Sequence, residues 1–395
     1  MTEKKRRGSG QATKRKDGRW QASYVTKGGK RLYFYGDTQA EANKKKRQAE
    51  IEDERGVLAT EPDMPLSAYL DRWLETVKKP PNVRVTTYDK YKWYVKKYIN
   101  PALGSIRLRA LTPLHVQSFY THMTDEGLSP GTVRNLHLVL RGAMENAVKW
   151  NIVSHNVVAL ATHPSREEYE AQVLTIEQAH LLIETAKSHR LWPLLVTAIA
   201  TGMRRGELMA LRWEDVDFQS GKVFVRRSVS RLSGRGFVVL EPKTKKGRRA
   251  ILLPPAVLEV LREHKEHLQQ VRRDVGDRWY DLDLVFPNTL GNFNEPARLK
   301  RILDRLLKLA GLPHMRIHDL RHSAATIMLA MGIHPKVVQE ILGHSSIAIT
   351  MDLYSHVLLS VQQDAASRVD DVLKHSLRRD VKNDVKPAEN GKSEV

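Results

Sequence analysis

A chain of 395 residues exceeds one ordinary hydrophobic core and accommodates two or three domains. Its 65 lysines and arginines against 45 acidic residues give a net charge of +20. That surplus suits a polyanion, nucleic acid above all, because each neutralised phosphate releases counterions; a basic surface that only keeps the protein soluble is the plainer alternative. The lack of cysteine excludes disulfides, thiolate nucleophiles and cysteine zinc sites.

The start, MTEKKRRGSGQATKRK, is charged with no apolar segment behind it, and apolar runs elsewhere are short. We therefore expect no signal peptide, no membrane span and a cytoplasmic protein. The first 60 residues hold 16 lysines and arginines against 8 acids. Within them DGRWQASYV alternates Trp20, Ala22 and Tyr24 on one face, KGG makes a turn and KRLYFYG resumes a strand. With a short strand before Asp17-Gly18 this predicts a three-stranded sheet, followed by a charged helix opened by a Thr38–Glu41 capping box. Such a sheet fits a DNA groove; a small basic domain that binds something else is the alternative.

From MPLSAYLDRWLETV to HNVV the period becomes helical, and Leu66, Tyr69, Leu70, Trp73 and Leu74 form one stripe. Further helices follow at VTTYDKYKWYVKKYI, TPLHVQSFYTHM and SPGTVRNLHLVLRGAMENAVKW, the last capped by Ser129 with Pro130 in its first turn. Aromatics at this spacing read as core rather than as platforms for bases. ATHPSREEYEAQ suits a linker. A Thr175–Gln178 capping box then opens the last domain, with helices to LLVTAIATG. A β section runs through GKVFVRRS and GFVVLEPKTKKGRRAILLP, and more helices extend to one near SVQQDAASRVDDVLKHS. The fold class expected is mainly α with small β elements. The expected segments are 1–60 (sheet plus helix), 61–162 (helical), 163–378 (mostly helical with a small β-sheet or hairpin) and a disordered polar tail, 379–395.

Chemistry concentrates in the last domain. HDLRHSAAT places His318, Arg321 and His322 on about one helix face. Histidines four apart can bind a metal, but a guanidinium repels a divalent cation and suits an oxyanion. The plainer reading is a helix start with a capping His318, a surface Arg321 and a buried His322. Other residues sharpen the anion site: Arg204 in TGMRRGEL with Glu207 one turn on, Lys243 in EPKTKKGRRAILL, and His344 and Tyr354 in ILGHSSIAITMDLYSHV. With no acidic metal cage, this set describes phosphodiester transfer to a tyrosine. Arg204 and Arg321 would meet charge building on the non-bridging oxygens, and His318 would take the proton of Tyr354, whose hydroxyl titrates near pH ~10 when unperturbed. Lys243, among cations, would protonate the leaving oxygen, His344 would donate to a phosphate oxygen, and Glu207 would orient its neighbours. His322 would pack or cap within its helix.

In this order and spacing, Arg204 in TGMRRGEL, Lys243 in PKTKKG, His318 and Arg321 in HDLRH, His344 in LGH and Tyr354 in ITMDLYSHV resemble the phage-type tyrosine recombinase, or integrase, family over nearly the whole chain. GRWQASYVTKGGKRLYFYG resembles, more loosely, the arm-binding domain of that family, and HNVV stands where many relatives have Asn-Pro. The resemblance implies that 1–60 binds arm-type DNA, 61–162 binds the core site and 163–378 is catalytic. It implies strand cleavage through a 3′-phosphotyrosine with a free 5′-hydroxyl, without cofactor, metal or ATP. The implied partners are double-stranded DNA with core and arm attachment sites, three further copies in a homotetramer on synapsed DNA, a DNA-bending protein and an excisionase. Integration and excision of a phage or mobile element is the expected function, with resolution of chromosome or plasmid multimers as the alternative. Further rivals are a metallohydrolase using His318 and His322, a DNA-binding regulator on an inactive scaffold, and a strand-swivelling topoisomerase.

Overall fold

The computed structural model describes residues 12–54, 63–165 and 171–354, apart from 28, 233 and 243–246, with isolated helical residues between 366 and 374. It divides into two compact units, Met1–Glu168 and Tyr169–Val395. The polar tail at 379–395 lies outside the described residues, as does most of the helix expected near residues 360–376.

In the first unit, β1 (Thr13–Lys14), β2 (Trp20–Val25) and β3 (Arg31–Gly36) form an antiparallel sheet in that order, with Trp20 opposite Gly36 and Tyr24 opposite Leu32. Alternation along β2 turns Ala22 and Tyr24 inward, and Ala22 meets Ala12, Ala42 and the half-buried Trp20. Helix α1 (Gln39–Glu54) packs on β2 and β3, and Tyr24 Oη donates to Asp53 Oδ2 at 2.6 Å. Thr38 accepts the Glu41 amide at 3.2 Å, but the Glu41 carboxylate reaches the Asp37 amide at 3.0 Å rather than that of Thr38. The capping box is therefore displaced by one residue. Tyr33 and Tyr35 stand exposed on β3.

Helices α2 (Leu66–Thr76), α3 (Val85–Tyr94), α4 (Asn100–Leu103), α5 (Pro113–Asp125) and α6 (Pro130–Lys149) surround a second core, and a π turn, Val95–Ile99, joins α3 to α4. The α2 stripe is fully buried. Trp73 stacks on Tyr91 with centroids 6.1 Å apart and donates Nε1–H to Asn146 Oδ1 at 2.9 Å, while Tyr69 Oη donates to the Ala143 carbonyl at 2.6 Å. These aromatics are core, because their polar tips find partners on α6. Trp93 departs from the expectation, at 45% exposure. Ser129 caps α6 by accepting the Thr132 amide, with Pro130 in the first turn.

The second unit opens with α7 (Ile176–Ala186), and both halves of the Thr175–Gln178 box form, at 3.2 and 3.0 Å. Helices α8 (Trp192–Thr201) and α9 (Arg205–Met209) precede the β section. There β4 (Val216–Asp217), β5 (Lys222–Val225) and β8 (Arg249–Leu252) make one antiparallel sheet, and β6 (Ser228–Leu232) and β7 (Gly236–Leu240) a hairpin. Then come α10 (Pro255–Val275), α11 (Pro296–Leu309), α12 (Asp319–Ala330), α13 (Pro335–Leu342) and α14 (Ala348–Tyr354). One core runs from Leu174 to Leu320, and α12, α13 and α14 close round Leu329, Val338, Leu342 and Leu353. No helix among the described residues is long and apolar enough to cross a membrane.

Candidate active site

The Thr201-Gly202 break shapes the site. Gly202 ends α8 at φ 58°, a left-handed conformation that glycine adopts without cost, and a Cβ there would overlap Leu342 of α13. The end of α8 can thus lie against α13, and the Gly202 carbonyl accepts Arg321 Nη1 at 2.8 Å. Two residues on, Arg204 precedes α9. Its Nη1 donates to Glu207 Oε1 at 2.8 Å, its amide to Glu207 Oε2 at 3.0 Å, and its Nη2 makes only a long, 3.5 Å approach to the Gly343 carbonyl. The Arg204 side chain is 42% exposed, whereas that of Glu207 is 3% exposed.

Glu207 has a second cation. Arg249, at the start of β8, donates Nη2 to Glu207 Oε2 at 2.9 Å, Nε to the Ile341 carbonyl at 2.6 Å and Nη1 to the Gly247 carbonyl at 3.2 Å. Burial alone would raise the Glu207 pKa, but Arg249 and then Arg204 outweigh it and hold the carboxyl below its ordinary range. Orienting neighbours, the task expected of Glu207, matches this geometry.

Arg321 lies in the first turn of α12 and is 3% exposed, so the reading that left it at the surface is corrected. The physical reason is the Gly202 carbonyl, which draws the guanidinium inward. Its Nη2 is buried without a partner among the described residues. Burial, then the charges of Arg204 and Arg249, lower its pKa to about 9, which still leaves it charged at neutral pH. His318 occupies the residue before α12 but makes no side-chain cap; the Asp319 carboxylate instead accepts the Arg316 amide at 2.8 Å. Although the outer edge of His318 reaches solvent, packing round its ring and the charges of His322 and Arg321 lower its pKa, so the ring is neutral at pH 7. His322 sets its ring edge-on to His318 with centroids 5.0 Å apart, and its Nδ1 has no partner among the described residues. His322 packs rather than caps.

Gly343 ends α13 at φ 68° and delivers His344 inward. The His344 amide donates to the Gln339 carbonyl at 3.1 Å, and Gln339 Nε2 donates to the His344 carbonyl at 3.3 Å. Burial, then Arg321 and Arg204, push the His344 pKa down to about 3. Its Nδ1 lies 2.9 Å from Thr350 Oγ1. A neutral imidazole that accepts at Nδ1 carries its proton on Nε2, so a Thr350 hydroxyl donating to Nδ1 turns the other nitrogen into a fixed donor. Thr350 is fully buried on α14, one turn before Tyr354, which ends that helix. The Tyr354 side chain and Lys243 lie outside the described residues.

The described residues therefore bring His318 and His344 each within electrostatic reach of Arg204 and Arg321. They add two supports that the sequence did not single out, Arg249 and Thr350. Thr350 had a local signal, standing six residues after His344 and four before Tyr354; Arg249 had none beyond the basic run GRR.

Guanidiniums fixed by protein acceptors, with one buried N–H unmatched among the described residues, suit the oxygens of a phosphodiester. Comparison with known proteins gives the lineage: the chain belongs to the phage integrase family of tyrosine recombinases. The Phage integrase family matches residues 172–360, and the phage integrase N-terminal SAM-like domain matches residues 66–124. Among curated relatives, the tyrosine recombinase XerC-like protein of Caldanaerobacter subterraneus subsp. tengcongensis is 28% identical over 360 residues, 87% of this chain and 92% of that one. The integrase of Mycobacterium phage L5 is also 28% identical, over 88% of this chain and 93% of its own. The fold is that of the Tn1549 transposon integrase in complex with transposon right-end DNA, with a TM-score of 0.63 and 21% identity over 78% of this chain and all of that one. A lambda integrase tetramer bound to a Holliday junction matches with a TM-score of 0.54 and 20% identity, over 89% of this chain and 96% of that one.

Proposed function

We propose that this protein is a site-specific DNA recombinase that integrates and excises a phage or mobile element, cutting and rejoining strands through a 3′-phosphotyrosine at Tyr354. The observation that carries the reading is Arg321, a buried guanidinium held by the Gly202 carbonyl with Nη2 unmatched among the described residues, beside a half-exposed Arg204. Both present N–H groups where charge develops, and being fixed beforehand they need no reorganisation at the transition state. Tyr354 Oη attacks phosphorus, its proton passes to the neutral His318, and the P–O5′ bond breaks as Lys243 protonates the departing oxygen. His344 donates Nε2–H to a phosphate oxygen. The phosphotyrosyl ester retains the bond energy for rejoining, so no metal, cofactor or ATP is required.

In this reading residues 1–60 bind arm sites, 61–162 the core site and 163–378 perform the chemistry, with the tail at 379–395 outside all three. Double-stranded DNA is the substrate, a homotetramer forms on synapsed sites, and a DNA-bending protein and an excisionase assist in the cytoplasm. Relatives named as phage integrases favour integration over multimer resolution. The test is a nicked attachment-site duplex that traps the covalent intermediate. Tyr354→Phe should bind it with near-normal affinity and form no adduct, because only the attacking oxygen is lost; a persistent adduct would remove Tyr354 from this role.

A further inference from the structure

The Glu207 carboxylate poses an electrostatic problem for a phosphate site. It is buried, ionised and in contact with the very arginine expected to meet the phosphate. If Arg204 were its sole cation, the pair would be close to neutral and Arg204 would offer the substrate hydrogen bonds but little net charge. We propose that Arg249 is a positioning residue that neutralises Glu207 and thereby leaves Arg204 its full charge for the reacting phosphate. This deepens the recombinase reading and rests on it.

Arg249 does not present donors outward. Its side chain is 6% exposed, and Nε, Nη1 and Nη2 each donate to a protein oxygen, those of Ile341, Gly247 and Glu207. The three acceptors belong to three parts of the site. Glu207 orients Arg204; Ile341 lies in the last turn of α13, three residues ahead of His344; and Gly247 immediately follows the segment that carries Lys243. Charge counting gives the consequence. Arg204, Arg249 and Arg321 bring three positive charges and Glu207 one negative, a surplus of two. A phosphodiester has one negative charge, and a tyrosinate oxygen bonding to phosphorus brings the five-coordinate group to two before the leaving oxygen departs. This fixed surplus, to which the protonated Lys243 of the proposed mechanism adds its own charge, is what the described arginines and Glu207 set against the two negative charges of the five-coordinate group. Removing Arg249 would halve it while leaving the Arg204 and Arg321 side chains in place.

The experiment is a double-mutant cycle on the full chain, with Arg249→Met, Glu207→Gln and the combination. Adduct formation on the nicked attachment-site duplex is measured alongside affinity for that duplex. Arg249→Met should slow adduct formation by at least 30-fold with DNA affinity within about threefold, since the charge acts on the transition state. Adding Glu207→Gln restores the surplus of two, and the double variant should regain at least tenfold over Arg249→Met. A merely structural Arg249 predicts the reverse, because the double variant has lost one further hydrogen bond, from Arg204 to the oxygen that becomes the glutamine NH2. The pH profile separates the readings again: the defect of Arg249→Met should shrink as falling pH protonates the buried Glu207 carboxyl, and that of the double variant should not. A parallel arm measures binding of inorganic phosphate by phosphorus NMR, expected to be weaker in Arg249→Met than in the double variant. No rescue in either arm, or wild-type cleavage by Arg249→Met, overturns the proposal. Absence of any wild-type adduct with the phosphate order intact would overturn the recombinase reading and keep the charge role.

Discussion

Replacing Thr350 by valine removes one hydroxyl from a fully buried position and changes almost nothing else in volume. What it removes is the contact between Oγ1 and Nδ1 of His344 at 2.9 Å, so Nδ1 is left buried without a partner. The stability cost of such an orphan is about 1–3 kcal/mol. The catalytic cost follows from the tautomer. One neutral hydrogen bond contributes about 1 kcal/mol net, so losing it releases the imidazole to place its proton on either nitrogen and to tilt. A loss of about fivefold in adduct formation is the expected result, and the ceiling is the roughly 10²–10³-fold loss that follows removal of a transition-state donor altogether. Thr350→Ser keeps the hydroxyl and should retain most activity. The assay is the single-turnover rate of adduct formation on a nicked site. In a His344→Phe background Thr350→Val should cost nothing further, since Thr350 acts through His344. A full additional loss there, or serine as damaging as valine, would refute the reasoning.

Local chemistry was the legible part of the fold. The Thr175–Gln178 box needs only residues three apart, and it forms as the sequence implies. The α2 stripe and the alternation of β2 likewise record one face of one element meeting a core. Departures arise where neighbours redirect a side chain. Glu41 reaches past Thr38 to the Asp37 amide, and Lys45 draws on its other oxygen at 2.7 Å. Trp93 stands exposed on α3, five residues after the buried Tyr88 and therefore on a different face of that helix.

The residue types of the site were readable, but their depth was not. Arg321 sits in the first turn of α12, where an arginine is ordinarily solvated, and only a carbonyl 119 residues earlier explains its burial. Glu207 was visible one turn after Arg204, whereas the cation that sets its charge comes from β8, 42 residues on. Nothing local to GRR distinguishes a structural arginine from a solvated one. The linkage through Thr350 was within reach, because a histidine set by a glycine cap and a threonine on the next helix are close in sequence.

Three further outcomes test these relations. Gly202→Ala must hold φ 58° and displace Leu342; the left-handed backbone costs about 1–2 kcal/mol and the overlap about 1–3 kcal/mol, so urea unfolding should show a loss of about 2–5 kcal/mol. An unchanged midpoint would mean that α8 and α13 do not meet there. Buried His264 and His344 have pKa values pushed down to about 4 and about 3, by desolvation first. Each therefore binds its proton in the unfolded chain before the folded one. Their stabilising contribution is complete above pH ~6.5 and lost as pH falls towards the folded values, about 4 kcal/mol for the two together by pH ~5. Melting temperatures that stay level from pH 7 to 5 would contradict this. The last test concerns the basic start. Its sheet and helix have their own small core of Ala12, Ala22, Ala42 and Trp20, and the α2 stripe belongs to a different one. A chain beginning near Glu61 should therefore still fold and cleave an isolated core site, because no residue of the candidate active site comes from the removed segment. It should lose recombination between sites that depend on distal arm sequences, and the isolated segment should bind those sequences with affinity that falls steeply as salt rises. Footprinting full-length and shortened proteins on one long attachment site decides it: identical protection by both would show that the first 60 residues serve something other than arm DNA.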